Sequence, residues 1–238
     1  MAKERLDKLI ASTGRWSRRE VKTLVREGRV LVDGRIAGSA EEKYDAESCR
    51  IAVNGEELLL RRHTYVMLHK PAGVLSATED GRGRTVLDLL TPELRKIGVF
   101  PVGRLDKDTE GLLLLTDDGE LAHALLSPKK HVDKVYYARV SGRLAPEDCA
   151  AFEAGMTLGD GLECLPAGLE ILAAGETSEC LVTLREGKFH QVKRMLAARG
   201  KPGEDLKRLS MGSLRLDDTL APGEFRLLTA AEEAQLQR

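Results

Sequence analysis

Residues 103–119 read GRLDKDTEGLLLLTDDG, and the leucine run Leu112 to Leu115 follows closely on an arginine and an aspartate. A short apolar run bounded by glycine and by an Asp-Asp-Gly turn predicts a buried strand. Asp106 lies in the loop that leads into this strand, where partial desolvation would make a carboxylate a better nucleophile or base. The same residue types also fit a surface loop whose aspartate bonds nearby amides. This stretch alone leaves both interpretations open.

The length and composition of the chain bound the classes of protein it can belong to. Its 238 residues suffice for a medium domain plus a small one, and 42% hydrophobic with 32% charged residues excludes a disordered or fibrous chain. No apolar stretch approaches the roughly 18 to 20 residues that cross a bilayer, and the N-terminus MAKERLDKLI lacks a signal-peptide core. We therefore expect a cytoplasmic protein without a membrane partner.

The residues that most often bind metals are scattered along the chain. The cysteines show no CxxC pairing, and the histidines show neither HxxxH nor HExxH spacing. We therefore expect reduced structural thiols and no metal site.

The first 35 residues are basic, with ten basic and five acidic side chains. RLDKLIASTG predicts a short helix, and a capping box of Ser17 and Glu20 predicts the start of a second helix that Gly28 ends. Asp33-Gly34 and Asn54-Gly55 then predict two hairpins. This pattern indicates a small N-terminal domain, residues 1–60, whose second helix presents a basic stripe.

The remainder, residues 64–238, mixes strand-like and helix-like runs without a strict βαβ rhythm. Turns such as TDDGE and AAGETSE separate the strands, which favours antiparallel neighbours over a doubly wound parallel sheet. The predicted fold class is α+β: a small N-terminal domain plus a larger domain with a mixed, mainly antiparallel sheet.

Two further stretches of the large domain carry candidate chemistry. In KVYYARV, strand alternation sends Tyr136 and Tyr137 to opposite faces, so one ring could stack on a nucleobase or both could pack in the core. REGKFHQVKRMLAARG gathers basic residues at the start of a helix, where an anion would be stabilised. A solvated helix face would also explain that cluster.

Taken together, these stretches resemble the motifs of one enzyme family. GRLDKDTEGLLLLTDDG resembles the GRLDxxTxGLLLLTxDG motif of pseudouridine synthases, and KVYY, EGKFHQVKRM and LAPGEFRLLT match the same family in the same order. Residues 5–60 resemble the S4 RNA-binding domain. The resemblance implies an N-terminal S4 domain followed by a pseudouridine synthase catalytic domain.

The family resemblance implies roles for particular residues. Asp106 corresponds to the catalytic aspartate, Tyr136 to the tyrosine that stacks on the target base, and Lys193 to a basic residue that pairs with the aspartate. Neither a metal nor an organic cofactor is implied, and we expect a monomer. The basic residues expected to contact RNA are Arg104, Arg5, Lys8, Arg18, Arg19, Lys22, Arg26, Lys188, His190, Arg194 and Arg208.

The expected substrate is a uridine of ribosomal RNA. LLSPKKHVDKVY and FHQVKRM look more like the branch of the family that modifies 16S RNA of the small subunit than like the large-subunit branch. A synthase acting on 23S RNA is the alternative within the family. A non-catalytic RNA-binding factor for ribosome assembly is the alternative of another class, although the presence of Asp106, Tyr136 and Lys193 argues against it.

Overall fold

The computed structural model describes residues 3–46, 48–127 and 130–236, and these form two compact units. The first unit contains the described residues up to Thr64 together with Leu90–Val99. The second contains Tyr65–Leu89 and the described residues from Phe100 onward. Pro128 and Lys129 of the LLSPKKH run lie outside the described residues. None of the described helices has the length or the apolar content needed to cross a membrane.

The first unit pairs short helices with small antiparallel sheets. Its strands pair in the order β3-β2-β5-β6, and β1 pairs with β4. The predicted helices and both hairpins are confirmed: Ser17 and Glu20 form the capping box, and Asp33 and Asn54 adopt positive φ at the hairpin turns. The elements are β1 Glu4–Arg5, α1 Leu6–Ala11, α2 Arg18–Arg26, β2 Val30–Val32, β3 Arg35–Ile36, β4 Lys43–Tyr44, β5 Ile51–Val53, β6 Glu56–Glu57 and α3 Pro92–Ile97.

The second unit is built on a mixed sheet that has nine strands within the described residues. The strands of this unit are β7 Tyr65–Lys70, β8 Phe100–Pro101, β9 Glu110–Thr116, β10 Lys134–Ser141, β11 Met156–Thr157, β12 Glu163–Cys164, β13 Gly168–Ala173, β14 Thr177–Leu184, β15 Gly203–Met211, β16 Leu214–Arg215 and β17 Phe225–Leu227. The main path of the sheet runs β13-β14-β10-β15-β9-β7-β17, with β16 added on β15 and β8 on β9. The helices are α4 Gly119–Leu126, α5 Pro146–Ala154, α6 Gln191–Ala198 and α7 Ala230–Leu236, and Val86–Leu89 form a 3-10 turn.

The leucine run forms the centre of this sheet. Leu112 to Leu115 are fully buried on β9, which pairs antiparallel with β7 and parallel with β15. The run is continuous rather than alternating because both faces of β9 are covered, so every side chain reaches an apolar environment. The predicted α+β class with a mainly antiparallel sheet is confirmed.

Gly111 permits the close approach of β15 to β9. Its φ is +105°, and a Cβ built there would lie 2.2 Å from the carbonyl oxygen of Arg208 and 2.6 Å from its nitrogen. Backbone atoms of a paired strand cannot give way as a flexible side chain could. A side chain at this position would therefore force the two strands apart.

We expect Gly111→Ala to destabilise the protein by about 3 kcal/mol or more, because the methyl group adds a backbone clash to an unfavourable φ. Urea unfolding monitored by circular dichroism measures the loss. Gly73→Ala is the matched control: Gly73 has a φ of +84° but open space around its Cβ position, so its loss should be about 1 kcal/mol. Equal losses in the two variants would show that strand approach is not the constraint.

Candidate active site

A small cleft in the second unit brings together side chains from distant parts of the sequence. Its volume is about 70 Å³. The loop before β9, the strand β10 and the start of α6 all contribute to its walls. The lining residues are Arg104, Leu105, Asp106, Thr109, Tyr136, Leu184, Gly187, Lys188, His190, Gln191, Val192 and Leu206.

Asp106 occupies a turn whose backbone is held on its N-terminal side by Ser76. The Asp106 side chain is 24% exposed, and the backbone N–H of Thr109 donates to the Asp106 carbonyl at 3.1 Å. The Ser76 hydroxyl accepts from the Leu105 N–H at 3.0 Å and donates to the Leu105 carbonyl at 2.9 Å. Leu105 itself is buried. The residue before the carboxylate is therefore fixed in position.

Lys70 holds the other side of the same loop. This fully buried lysine ends β7, and its Nζ donates to the carbonyls of Pro71, Lys107 and Thr109 at 3.0, 3.2 and 2.9 Å. Burial lowers the pKa of Lys70 to about 8, although the nearby carboxylates, Asp108 foremost, act in the opposite direction. The sequence analysis did not single out Lys70 or Ser76. The available signal was a lysine at the end of the strand-like run YVMLHK, directly before a proline.

Tyr136 reaches the cleft from the middle of the sheet. It lies on β10 opposite Val182 of β14 and Arg208 of β15, and only 8% of it is exposed. Strand alternation turns Tyr137 to the opposite face. The structure thus brings Tyr136 and Asp106 into one cleft.

Lys193 does not make the predicted ion pair. Its Nζ lies 2.5 Å from Oδ1 of Asp108, and the two residues line a neighbouring cavity rather than the cleft. The hydrogen bond from Lys193 holds the pKa of Asp108 below its usual range. The expectation that Lys193 pairs with Asp106 is therefore wrong. The two aspartates are separated by a single residue, and the loop directs Asp108 toward α6.

His190 is the basic side chain that faces Asp106. Its Nε2 lies 3.4 Å from Oδ1 of Asp106. His190 precedes α6 with a φ of +49°, a left-handed conformation that costs a non-glycine residue about 1 kcal/mol. Gln191 closes the loop before the helix, since its Oε1 accepts from the Lys188 N–H and its Nε2 donates to Glu186.

The other predicted RNA contacts of this unit differ in accessibility. Arg104 is exposed at the edge of the cleft. The ammonium of Lys188 pairs with Glu186 and donates to the Glu163 carbonyl. Arg194 lies 2.5 Å from a carboxylate oxygen of Asp160. These three side chains remain at least partly open to solvent.

Arg208 is buried, contrary to its predicted role as an RNA contact. Only 2% of it is exposed, and its Nε donates to the Leu112 carbonyl at 2.8 Å. The expectation that Arg208 contacts RNA is wrong, because strand alternation on β15 directs its side chain into the interior.

In the first unit, a buried carboxylate ties two of the predicted RNA-binding arginines to the fold. Asp7 is fully buried, and the guanidinium groups of Arg5 and Arg18 each lie 2.9 Å from one of its oxygens. Burial by itself would raise the pKa of Asp7, but hydrogen bonds from Arg5 and Arg18 hold that pKa below its usual value. Arg18 therefore joins α2 to α1, whereas Arg5 ties the end of β1 to the same buried carboxylate.

A groove of about 530 Å³ runs beside α2. Arg19, Lys22 and Arg26 line it together with the acidic Glu41, so its wall is basic on balance. Lys22 also pairs with Glu41 at 3.2 Å, whereas Lys8 pairs with Glu4 at 2.6 Å. Of the predicted basic residues, Arg19, Lys22 and Arg26 thus line the groove, with Lys22 ion-paired there, whereas Lys8 pairs with Glu4 outside it. Within the described residues, no group of acidic, histidine or cysteine side chains is arranged to hold a metal ion.

Comparisons with known proteins show the family of this chain. A family model described as RNA pseudouridylate synthase matches residues 64–198, more than half of the chain. The chain belongs to the RNA pseudouridine synthase family. A model of the S4 domain matches residues 4–48. The family resemblance found in the motifs is confirmed, and this chain is a pseudouridine synthase with an N-terminal S4 domain.

Relatives match this synthase over almost its whole length. An uncharacterized RNA pseudouridine synthase of Bacillus subtilis is 49% identical, with 96% of each chain covered. Ribosomal small subunit pseudouridine synthase A of Vibrio cholerae is 40% identical, covering 98% of this chain and 99% of that one. Ribosomal large subunit pseudouridine synthase B of Bacillus subtilis is 38% identical, with 98% and 96% covered. A crystal structure of a pseudouridylate synthase superposes with a TM-score of 0.68 at 35% identity, covering 98% and 99%.

We expect Lys70→Met to reduce kcat roughly 10- to 100-fold with little change in RNA affinity, because a loosened loop misplaces Asp106. Single-turnover assays and filter binding measure the two effects. The exposed Lys96 supplies the control, and Lys96→Met should leave kcat unchanged. A loss confined to RNA affinity would contradict the anchoring role.

The same variant tests the buried ammonium by its pH dependence. The pKa of Lys70 is about 8 in the folded protein against an ordinary 10.5, so the unfolded chain binds more protons between these pH values. The stability of the wild type should therefore rise with pH across this window, relative to that of Lys70→Met. Urea unfolding at pH 7, 8, 9 and 10 measures the difference, and parallel curves would contradict the lowered pKa.

Proposed function

We propose that this synthase converts a uridine of small-subunit ribosomal RNA to pseudouridine, with Asp106 as the reacting carboxylate and Tyr136 as the ring that stacks on the target base. The observation that carries the proposal is that both side chains line one cleft while Ser76 and Lys70 hold the Asp106 loop from either side. Such anchoring provides the fixed geometry that a reacting group requires.

The reaction exchanges one bond of the target nucleotide for another. The bond from the sugar C1′ to N1 of uracil breaks, a bond from C1′ to C5 forms, C5 loses its proton and N1 gains one. Asp106 can attack the base, attack the sugar or remove a sugar proton, and each route uses the same carboxylate. The base leaves the RNA stack to reach the cleft, and Tyr136 replaces the stacking that it loses. No group outside the chain and the RNA is needed for atoms and charge to balance.

Lys193 has an indirect place in this proposal. Its ion pair with Asp108 neutralises a carboxylate on the reacting loop. Fewer uncompensated negative charges near Asp106 favour the approach of RNA phosphates. We assign Lys193 to this electrostatic role, and Arg104 to a contact with the RNA backbone at the edge of the cleft.

The choice of ribosomal subunit rests on similarity. The relative named for the small subunit and the relative named for the large subunit are 40% and 38% identical to this chain, so these values favour the small subunit only slightly. The FHQVKRM stretch supports the same choice. The large-subunit RNA is the second candidate substrate, and a map of modified sites decides between them.

The S4 domain supplies a second RNA contact in this proposal. The groove lined by Arg19, Lys22 and Arg26 has the positive charge to attract a phosphate backbone. Such a contact tolerates many sequences and depends on salt. It would tether the enzyme to the RNA while the cleft selects the uridine.

We expect Asp106→Asn to lose about 1,000-fold or more in turnover, since the amide lacks the charge and basicity of the carboxylate. RNA affinity and unfolding should stay close to wild type because the two side chains have the same shape. Asp108→Asn is the matched control on the same loop, and it should retain most of the turnover. Equal losses in both variants would remove the assignment of Asp106.

The substrate is identified in cells that lack the protein. Carbodiimide labelling and primer extension across both ribosomal RNAs map each pseudouridine. A site lost from the small subunit and restored by wild type, but not by Asp106→Asn, supports the proposal. A site lost from the large subunit would identify the large-subunit RNA as the substrate instead. Restoration of the lost site by Asp106→Asn would mean that the reaction does not use this carboxylate.

We expect Arg19→Gln combined with Arg26→Gln to weaken RNA binding and to reduce the slope of log affinity against log salt by about 1.5, since each lost phosphate contact contributes about 0.7 to 0.9. Filter binding between 50 and 300 mM salt measures the slope. Arg29→Gln is the control, because Arg29 already bonds Asn54 and Glu27. A slope unchanged in the double variant would exclude this groove from the RNA interface.

A further inference from the structure

Phe189 is exposed directly beside the candidate active site. It lies in the loop between β14 and α6, and 75% of it is accessible to solvent. Its neighbours Lys188 and His190 both line the cleft that contains Asp106. A single exposed apolar residue is ordinary on a protein surface, so exposure alone carries no argument.

The ring of Phe189 rests on the imidazole of His190. The two ring centroids are 3.8 Å apart and the rings are inclined by only 18°. His190 in turn lies 3.4 Å from Asp106. One face of Phe189 is thus supported by the imidazole whose Nε2 lies beside the candidate catalytic carboxylate, and the exposure of the ring leaves the other face open.

The backbone at this point is strained in a way that supports the stack. His190 adopts a φ of +49°, which non-glycine residues avoid, and its side chain makes no capping hydrogen bond to α6. Residues with such strained backbone conformations cluster at functional sites. Here the unusual backbone accompanies two contacts of the imidazole, one with Phe189 and one with Asp106.

An open aromatic face beside this cleft matches one chemical need of the reaction. A uridine that leaves its stack exposes the faces of the bases next to it, and aromatic side chains stack on unpaired bases of any sequence. Arg104, exposed at the same cleft, favours RNA phosphate over an apolar protein partner. The partner of the open face is therefore a nucleobase.

We propose that Phe189 stacks on the base next to the target uridine and, supported by His190, stabilises the RNA with its uridine flipped out. This inference rests on the proposed function, and it adds a substrate contact that is separate from Asp106 and Tyr136. Because the contact is sequence-tolerant, it contributes to flipping rather than to the choice of site.

Steady-state kinetics with a 16S RNA transcript provide the first test. Phe189→Ala should lower kcat/KM roughly tenfold or more, and Phe189→Trp should stay within about threefold of wild type, since tryptophan keeps a stacking face. Phe189→Leu should resemble Phe189→Ala, because leucine keeps the bulk but loses the π-face. Leu172→Ala is the control, an exposed apolar residue on β13, and should match wild type. Wild-type kinetics of Phe189→Ala, or equal activity of the leucine and tryptophan variants, would overturn the proposal.

A second test does not depend on turnover. Trp16 is the sole tryptophan of the chain, so a protein carrying Trp16→Phe, Phe189→Trp and Asp106→Asn reports only on position 189. Its fluorescence should be quenched when the 16S transcript is added, because bases that stack on indole quench its emission. The same variant with Phe189→Leu in place of Phe189→Trp gives the background fluorescence. Quenching in this variant together with no pseudouridine formation by the wild type would refute the proposed function but not the stacking contact. RNA binding without quenching would overturn the stacking contact alone.

Discussion

The ammonium group of Lys70 lies buried beneath the loop that carries Asp106, and it donates hydrogen bonds to three backbone carbonyls. These carbonyls belong to Pro71, the residue after β7, and to the loop before β9, two segments that antiparallel pairing of Lys70 with Gly111 brings together. Hydrogen bonds from a charged donor are strong in a low dielectric, whereas unpaired carbonyls would be costly there. The conformation of the loop, and with it the direction of Asp106, depends on this buried charge.

The sheet then determines which residues share the cleft with Asp106. β15 approaches β9 closely at Gly111, and its other edge pairs with β10. Because β15 pairs with both β10 and β9, Tyr136 lies opposite Arg208, and Arg208 is paired with Gly111. Two side chains thirty residues apart therefore line one cleft because a glycine allows two strands to meet. α6 completes the cleft with His190, whose strained backbone accompanies its contacts with Phe189 and Asp106.

Local sequence patterns predicted much of the fold. The capping box of α2, the Asp-Gly and Asn-Gly hairpins and the leucine strand are signals that involve only neighbouring residues. β15 was not predicted as a strand, because GEDLKRLSM is mostly polar and its conformation is determined by pairing with β10 and β9. The short helix α3, PELRKI, was also missed, since it contains a single buried residue. β15 therefore depends on contacts distant in sequence, whereas α3 has local signals at its ends, Thr91 at the N-cap and the left-handed Gly98 at the C-cap.

By itself the sequence determined the family, the S4 domain and the choice of Asp106 and Tyr136 as candidate site residues, because these depend on the order and spacing of motifs along the chain. Only the tertiary structure decided that Lys193 meets Asp108, that Arg208 is buried and that Lys70 supports the reacting loop. An ion pair forms between the charges that the fold brings closest, and two aspartates separated by one residue look alike in any linear pattern. Burial of a charge likewise depends on what packs above it, which several distant segments determine together.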